Sequence, residues 1–263
     1  MTTLYLLPTR TGGAAENMAI DFLLLQRYPH AAMPRFRHYA WRGPAFTFGY
    51  AQKAGFVREQ VAMLAGPGSF DLCRRPTGGG LVDHREDWTY ALVIPRGHPL
   101  EELAATQSYR VVHEALAEAL RAQGVPAKTT AVRPDGLEPL PQPAPRGERD
   151  PAARPEGEPS VALAKEGVCF QRAEIHDVIH AGSGAKIAGA AQKRNKHGLL
   201  FQGSIWQPAA GAIDWEEFEA GFTERLASAL GATAEPKPWP DLDEDEVNGL
   251  TEKYSTPEWN EFR

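Results

Sequence analysis

The segment from Pro134 to Pro159 constrains the fold of this chain more than any other. It reads PDGLEPLPQPAPRGERDPAARPEGEP, with eight prolines and no aromatic residue. Proline fixes φ and lacks a backbone donor, so neither a helix nor a central strand can run through it. The segment also offers few apolar groups whose burial could offset the entropy of ordering it. We therefore predict that residues 134–159 form a disordered surface insertion.

The sequence on both sides of this insertion has the periodicity of regular structure. Before it, apolar residues recur at spacings of three and four over 15–28 and over 108–123, which is typical of amphipathic helices. After it, 199–206 is typical of a strand and 215–230 of a helix that begins at Asp214. Because both flanks are structured, a long loop within one domain explains the insertion better than a boundary between two domains. We predict a single domain over residues 1–263.

Strands and helices follow one another in an irregular order along the chain. Strands are expected in groups, with helices between and after them, and this order favours an α+β fold with a mixed, largely antiparallel sheet and flanking helices. The predicted strands are 38–41, 45–50, 70–74, 88–94, 175–179, 186–191 and 199–206. The predicted helices are 15–28, 108–123, 215–230 and 244–254.

Charge and cysteine content exclude several classes of protein. The chain carries 28 Lys and Arg against 34 Asp and Glu, whereas a general nucleic-acid binder needs a basic surplus. Two cysteines, Cys73 and Cys169, exclude a disulfide framework and a four-cysteine zinc site. His176 and His180 are four residues apart, but the residues between them favour a strand, so no metal site is expected. Without a secretory signal or a long apolar run, we expect a cytoplasmic protein with no membrane partner.

The segment from Arg74 to His84 is the first candidate site. It reads RRPTGGGLVDH, so three glycines follow two arginines between predicted strands. Glycines let backbone N–H groups approach a ligand closely, and the arginines suit a carboxylate, a phosphate or an acyl carbonyl. The alternative is a flexible hairpin loop. The pattern fits neither a Walker loop nor a dinucleotide-binding fingerprint.

Two single residues are further candidates. Lys186 lies among small residues in an alternating strand, where it could reach a ligand, although a lysine on a solvated strand face is the alternative. Cys169 follows the insertion and precedes the Lys186 strand, so it could lie at the edge of a site. A lone cysteine is more often a small core residue than a nucleophile.

Together these segments resemble the lipoate–protein ligase A and octanoyltransferase branch of the biotin/lipoate protein ligase superfamily. The family pattern is an Arg-Arg-x-Ser/Thr-Gly-Gly-Gly/Arg-x-Val-x-His loop, then an aromatic strand, then a Lys-Ile/Val-x-Gly-x-Ala-Gln strand. Residues 74–84, 88–90 and 186–192 follow it in that order. The likeness covers nearly the whole chain outside the insertion. Shorter segments that also resemble the family are 16–19, 202–205 and 254–260.

The resemblance implies a biotin/lipoate ligase-like catalytic domain that holds a medium-chain acyl group in an apolar tunnel. Such an enzyme attaches an octanoyl or lipoyl group to a lysine of the lipoyl carrier domains of 2-oxoacid dehydrogenases, or of the glycine-cleavage carrier protein. It also implies that Lys186 contacts the acyl carbonyl or the activating group. The acyl- or adenylate-binding residues that it implies are Arg74, Arg75, Thr77, Gly78, Gly79, Gly80, His84, Gly189, Ala191 and Gln192.

The family contains two mechanisms. In cysteine-dependent octanoyltransferases the acyl group passes from acyl carrier protein to an enzyme thiol, here Cys169, and then to the target lysine, without a cofactor. In ligases, ATP and Mg activate lipoate as lipoyl-adenylate. Two features favour the transferase: the Cys169-Phe170 pair and the absence of the Arg-Asn-Asp stretch that ligases carry. Gly80 argues against it, because some transferases carry Arg at that position. We predict a transferase with Cys169 and Lys186 as catalytic residues. The alternatives are an ATP-dependent ligase and a non-catalytic protein that binds acyl groups or carriers.

Overall fold

The computed structural model describes residues 2–28, 33–66, 68–131 and 173–262. The predicted insertion at 134–159 and the candidate Cys169 lie outside the described residues. In the part of the chain that is described, no helix has both the length and the apolar character needed to cross a membrane.

Helices and strands alternate irregularly along the described chain, as the α+β prediction requires. The strands are β1 (Thr2–Gly12), β2 (Arg35–Trp41), β3 (Ala45–Phe48), β4 (Asp71–Arg74), β5 (Val82–Asp83), β6 (Asp87–Pro95), β7 (Ala127–Thr129), β8 (Val178–His180), β9 (Lys186–Asn195), β10 (Gly198–Trp206) and β11 (Ala232–Pro236). The helices are α1 (Ala14–Gln26), α2 (Ala54–Ala65), α3 (Pro99–Glu102), α4 (Ala105–Ala122), α5 (Gln207–Ala210), α6 (Trp215–Ala229), α7 (Glu244–Ser255) and α8 (Pro257–Asn260).

Two sheets carry the fold. The larger has eight strands in the order β11-β1-β2-β6-β10-β9-β8-β7. Strand β1 runs parallel to β11 and to β2, and the other neighbouring pairs are antiparallel. The prediction of a mixed, largely antiparallel sheet is therefore confirmed. The smaller sheet has the order β4-β3-β5, with β3 parallel to β4 and antiparallel to β5.

The central strand β6 is buried on both faces of the larger sheet. Successive side chains of a strand point to opposite faces. Accordingly, Tyr90 and Leu92 pack into the core beneath α4 and α6, whereas Ala91 and Val93 pack into the core beneath α1 and α7. Burial on both faces explains why β6 is apolar almost without interruption, and it explains the helices on each side of the sheet.

The smaller sheet positions the glycine loop. Strand β4 ends at Arg74 and β5 begins at Val82, and both strands pair with β3 between them. The connecting residues 75–81 must therefore cross over the end of β3. Helix α2 closes the other side of this small core.

One predicted strand begins three residues later than expected. The prediction was 175–179, whereas β8 is Val178–His180. The residues before β8 form a turn in which the Glu174 amide donates to Asp177 Oδ2 at 2.7 Å and the Asp177 amide donates to the Glu174 carbonyl at 3.0 Å. The side chain of Asp177 thus closes a local turn directly before β8.

Candidate functional site

A cavity of about 490 Å³, including its open mouth, lies between the glycine loop and strands β9 and β10. Apolar groups such as Met18 and Val82 line it together with hydroxyl and cationic groups. The structure brings six of the candidate residues to its wall: Arg75, Gly79, His84, Lys186, Gly189 and Ala191.

Arg75 fixes the path of the glycine loop. Its guanidinium donates to the carbonyl oxygens of Gly78 at 2.9 Å and Gly80 at 2.8 Å. It also donates to the carbonyl and hydroxyl oxygens of Thr47, both at 2.8 Å. Gly79 lies between the two bound carbonyls and lines the cavity, whereas Gly78 and Gly80 do not. The hydrogen bonds of the buried Arg75 guanidinium thus hold the glycine loop rigid.

Arg74 does not line the cavity, although the resemblance implies a binding role for it. It is fully buried, and its guanidinium donates to the carbonyls of Tyr50 (2.8 Å), Gln52 (2.7 Å), Asn260 (2.8 Å) and Trp259 (3.2 Å). Those carbonyls belong to the segment after β3 and to α8. The geometry gives Arg74 a structural role, in which it ties the start of the glycine loop to the C-terminal helices.

Thr77 and Gln192 lie beside the cavity without lining it. The Thr77 hydroxyl donates to Gln202 Oε1 at 2.7 Å, and Gln202 Nε2 donates to Asp21 Oδ2 at 2.7 Å. Asp21 in turn accepts from Arg37 Nε at 2.7 Å, so a buried hydrogen-bond chain links the glycine loop to α1. The side-chain amide of Gln192 binds the first turn of α4. Both residues support the cavity wall from outside.

His84 belongs to a buried polar cluster at the cavity wall. Its Nδ1 lies 2.7 Å from Asp87 Oδ2, and its Nε2 lies 2.6 Å from the Thr47 hydroxyl. The same carboxylate accepts from the hydroxyl of Thr89 at 2.9 Å and from that of Ser204. One buried carboxylate therefore orients three donors that line the cavity. Among the described residues, no group of three or more His, Cys, Asp and Glu side chains could hold a metal ion.

Lys186 forms a buried ion pair at the cavity wall. Its Nζ lies 2.7 Å from Asp177 Oδ2, and the two side chains are 7% and 1% exposed. The alternative of a lysine on a solvated strand face is therefore wrong. A Cβ at position 189 would lie 2.8 Å from Lys186 Nζ, which explains why glycine occupies that position. Sequence reasoning missed Asp177, because its segment was assigned to a strand.

Cys73 is the cysteine that the structure describes. Its side chain is 1% exposed in β4, and its Sγ lies 3.6 Å from the carbonyls of Arg74 and Tyr254. Burial raises the pKa of this thiol to about 12, so it stays protonated and unreactive. Cys73 is a core residue, and the reactive thiol that we predicted is Cys169.

The chain matches the model of one protein family. Residues 13–207 match the lipoyl protein ligase A/B catalytic domain. The chain is similar to octanoyltransferase LipM of Kyrpidia tusciae, with 29% identity over 296 aligned positions that cover 99% of each chain. It is also similar to octanoyltransferase LipM of Macrococcus caseolyticus, with 30% identity over 81% of this chain and 69% of the relative.

Solved structures share the fold. A bi-partite lipoate protein ligase of Thermoplasma acidophilum, described with its E2 lipoyl domain, has a TM-score of 0.67 and 19% identity and covers 99% of this chain and 96% of its own. A lipoate-protein ligase A bound with ATP has a TM-score of 0.69 and 19% identity and covers 99% of this chain and 98% of its own. These likenesses confirm the predicted fold class.

Proposed function

Because the chain belongs to the lipoyl protein ligase A/B catalytic-domain family, we propose that it transfers an octanoyl group from acyl carrier protein to a lysine of lipoyl carrier domains. The observation that carries this proposal is that the glycine loop and Lys186, which forms a buried ion pair, line the same cavity. Octanoyltransferase relatives that align over nearly the whole chain favour the octanoyl group over free lipoate. The reaction needs neither ATP nor a metal.

The reaction consists of two acyl transfers through Cys169. In the first, the Cys169 thiolate bonds to the carbonyl carbon of the donor thioester, the carbon–sulfur bond to the donor breaks, and the donor sulfur takes up a proton. In the second, the amine of the target lysine forms an amide bond to the same carbon, and the bond to Cys169 Sγ breaks. The proton that the amine loses balances the one that the sulfur regains. Both steps pass through a tetrahedral oxyanion.

Lys186 is the group that we assign to this oxyanion. An ammonium has three donors, and Asp177 takes one of them, which leaves two for the substrate. Fixed donors in a site that excludes water stabilise a developing negative charge far more than donors in bulk water do. Gly78 and Gly79 are exposed at the surface beside the cavity, so a macromolecular acyl carrier can reach the loop.

Lipoyl carrier domains are the acceptors that we propose, since the structural neighbour from T. acidophilum is described with an E2 lipoyl domain. The carrier protein of glycine cleavage offers the same chemistry, a lysine amine on a small domain. Acyl carrier protein is the donor that we propose, because it presents the octanoyl group as a thioester, which a cysteine attacks without prior activation.

An acyl-enzyme is the expected product when the protein is mixed with octanoyl-acyl carrier protein alone. Intact-mass and peptide mass spectrometry should locate one octanoyl group on Cys169, and hydroxylamine should remove it because it is a thioester. Cys73 is the internal control, because its buried thiol stays protonated and should carry no adduct. ATP should not change the yield.

Two results would contradict this mechanism. If no adduct forms and ATP-dependent lipoylation from free lipoate survives the change Cys169→Ala, the protein is a ligase. If neither acyl-enzyme nor lipoylated carrier forms while acyl carrier protein still binds, the protein is a non-catalytic binder. In each case the wild-type protein and Cys169→Ala should be compared with the same carrier domain.

The change Gly49→Ala should slow transfer about a hundredfold by displacing the glycine loop, since a misplacement of about 1 Å can cost that much. A Cβ at position 49 would lie 1.9 Å from the Gly79 carbonyl oxygen, and the backbone cannot accommodate it without moving. Gly43→Ala is the matched control, because a Cβ there meets nothing within 4 Å. Equal transfer rates for the two variants would show that the position of Gly79 does not matter.

A further inference from the structure

Asp177 is held in place from several sides. Its Oδ2 accepts from the Glu174 amide at 2.7 Å as well as from Lys186. Its own carbonyl accepts from the Thr130 amide at 2.9 Å. The preceding residue, His176, has a left-handed φ of 67°, which costs conformational energy in a residue other than glycine. The surrounding contacts therefore impose the position of this carboxylate, and the local backbone preference does not.

Tyr109 joins this carboxylate to the wall of the cavity. Its hydroxyl lies 2.9 Å from Asp177 Oδ1 and 2.6 Å from both the amide and the carbonyl of Ala190, which lines the cavity. The hydroxyl has one proton, and an ionised carboxylate is the stronger acceptor for it. Burial raises the pKa of Tyr109 well above its ordinary value, so the hydroxyl keeps that proton.

Two titratable groups on α4 and β6 that interact with Asp177 carry no negative charge. His113 on α4 is neutral, because burial lowers its pKa to about 4. Burial also raises the pKa of Tyr90 on β6, so this side chain is neutral as well. Arg75 and His84 share the cavity with Lys186 and are not anions. Among these groups and Tyr109, Asp177 is the anion that faces the lysine.

We propose that Asp177 is the positioning residue for Lys186: its carboxylate, oriented by Tyr109, keeps the lysine an ammonium and aims it at the reacting carbonyl. The inference rests on the proposed acyl transfer. Lys186 then acts as a charged donor to the oxyanion, and it does not remove the proton of the target amine. Asp177 does not line the cavity, so its effect on the reaction passes through Lys186.

Chemical labelling of the wild-type protein tests the ion pair without using the reaction. Brief treatment with acetic anhydride over a range of alkaline pH, followed by peptide mass spectrometry, gives the pH at which each lysine becomes reactive. Lys186 should become reactive at higher pH than Lys193, which lies on the same strand and whose pKa burial lowers. If Lys186 becomes reactive at the same pH as Lys193 or below it, the proposal is wrong.

The change Asp177→Asn should then expose Lys186 to the reagent. Without the carboxylate, the neutral amine is favoured, and labelling at a fixed pH should rise about tenfold, the usual effect of removing an opposite charge in contact. Labelling of Lys193 should stay unchanged. If labelling of Lys186 is also unchanged in this variant, Asp177 does not hold the charge of Lys186.

Transfer kinetics separate positioning from folding. Asp177→Asn should lower kcat for octanoyl transfer about 10- to 100-fold with little change in KM for the carrier domain, and Asp177→Glu should restore part of the rate because it restores the charge. Asp83→Asn is the matched control, since it removes another buried carboxylate, which pairs with Arg85. If Asp177→Asn does not fold, the kinetics of Tyr109→Phe are measured in its place, together with the labelling of the wild-type protein. An unchanged kcat in Tyr109→Phe contradicts the proposal.

The two proposals can fail separately. A wild-type protein that transfers no octanoyl group overturns the proposed function, whatever the labelling shows. An active wild-type protein whose Lys186 is labelled equally with and without the Asp177 carboxylate overturns the role of Asp177 alone. Support for the role of Asp177 requires an active wild-type protein, a labelling shift confined to Lys186, and a loss of kcat in Asp177→Asn.

Discussion

Replacing Lys186 with alanine is expected to slow octanoyl transfer about 10²- to 10³-fold, the usual cost of removing one donor to an oxyanion. Its ammonium is almost fully buried at the cavity wall, where Asp177 holds it in place. Both acyl transfers develop the same negative oxygen, so formation of the acyl-enzyme and its discharge to the carrier domain should slow together. A ligase mechanism predicts the same loss of overall transfer, so that loss tests the role of Lys186 and does not distinguish the two mechanisms.

Rapid-quench measurement of the acyl-enzyme gives the two steps separately. Lys128→Ala is the matched control, because Lys128 is an exposed lysine on β7 of the same sheet and should leave both rates unchanged. Urea unfolding of each variant checks that the fold is intact. A Lys186→Ala protein with wild-type rates in both steps would mean that the reacting carbonyl lies elsewhere.

The change Arg74→Met should lower the free energy of unfolding by about 4 kcal/mol, since it removes a fully buried guanidinium that donates to four buried or partly buried carbonyls. Four carbonyl oxygens accept from this guanidinium, two after β3 and two in α8. Methionine fills much of the same space, so the loss reports on hydrogen bonding more than on packing. A loss of this size is a large part of the stability of an ordinary domain.

Urea unfolding monitored by tryptophan fluorescence measures this loss. Trp259 is a suitable reporter because its carbonyl accepts from Arg74 and its indole N–H donates to the Arg74 carbonyl at 2.9 Å. Arg110→Met is the matched control, since Arg110 pairs with Glu114 at an exposed position and should change stability by less than about 1 kcal/mol. Equal losses in the two variants would show that α8 is not anchored through Arg74.

The sequence predicted the fold class, most strands of the larger sheet and six of the residues that line the cavity. These predictions rest on local signals: the apolar run of β6, the amphipathic period of α4 and the glycines of the loop. The elements that were not assigned are β1, β5, β7, β11, α2, α3, α5 and α8. Strand β1 pairs with β11, which is remote in the chain. Helix α2 buries only Ala54, Val57 and Val61, so its apolar stripe is narrow.

The site residues that sequence reasoning missed act through tertiary hydrogen bonds. Tyr109 lies in the segment 108–123, which is predicted as an amphipathic helix, yet its hydroxyl binds Asp177 and Ala190 on other elements. Arg74 and Arg75 are neighbours of the same type, and only the fold shows that one supports the glycine loop while the other ties the loop to α8. Pattern and composition carry no information about which buried carbonyl a guanidinium will meet.

The neighbouring positions of β1 and β11 affect how the protein is made on the ribosome. Thr2 pairs with Ala232 and Leu6 with Pro236. The β1 edge of the sheet is therefore not covered until the chain through β11 has been synthesised. An uncovered strand edge is a template for pairing with another chain, and contacts this distant in sequence form slowly. During the interval between synthesis of β1 and that of β11, this edge of the nascent polypeptide is thus open to pairing with another chain.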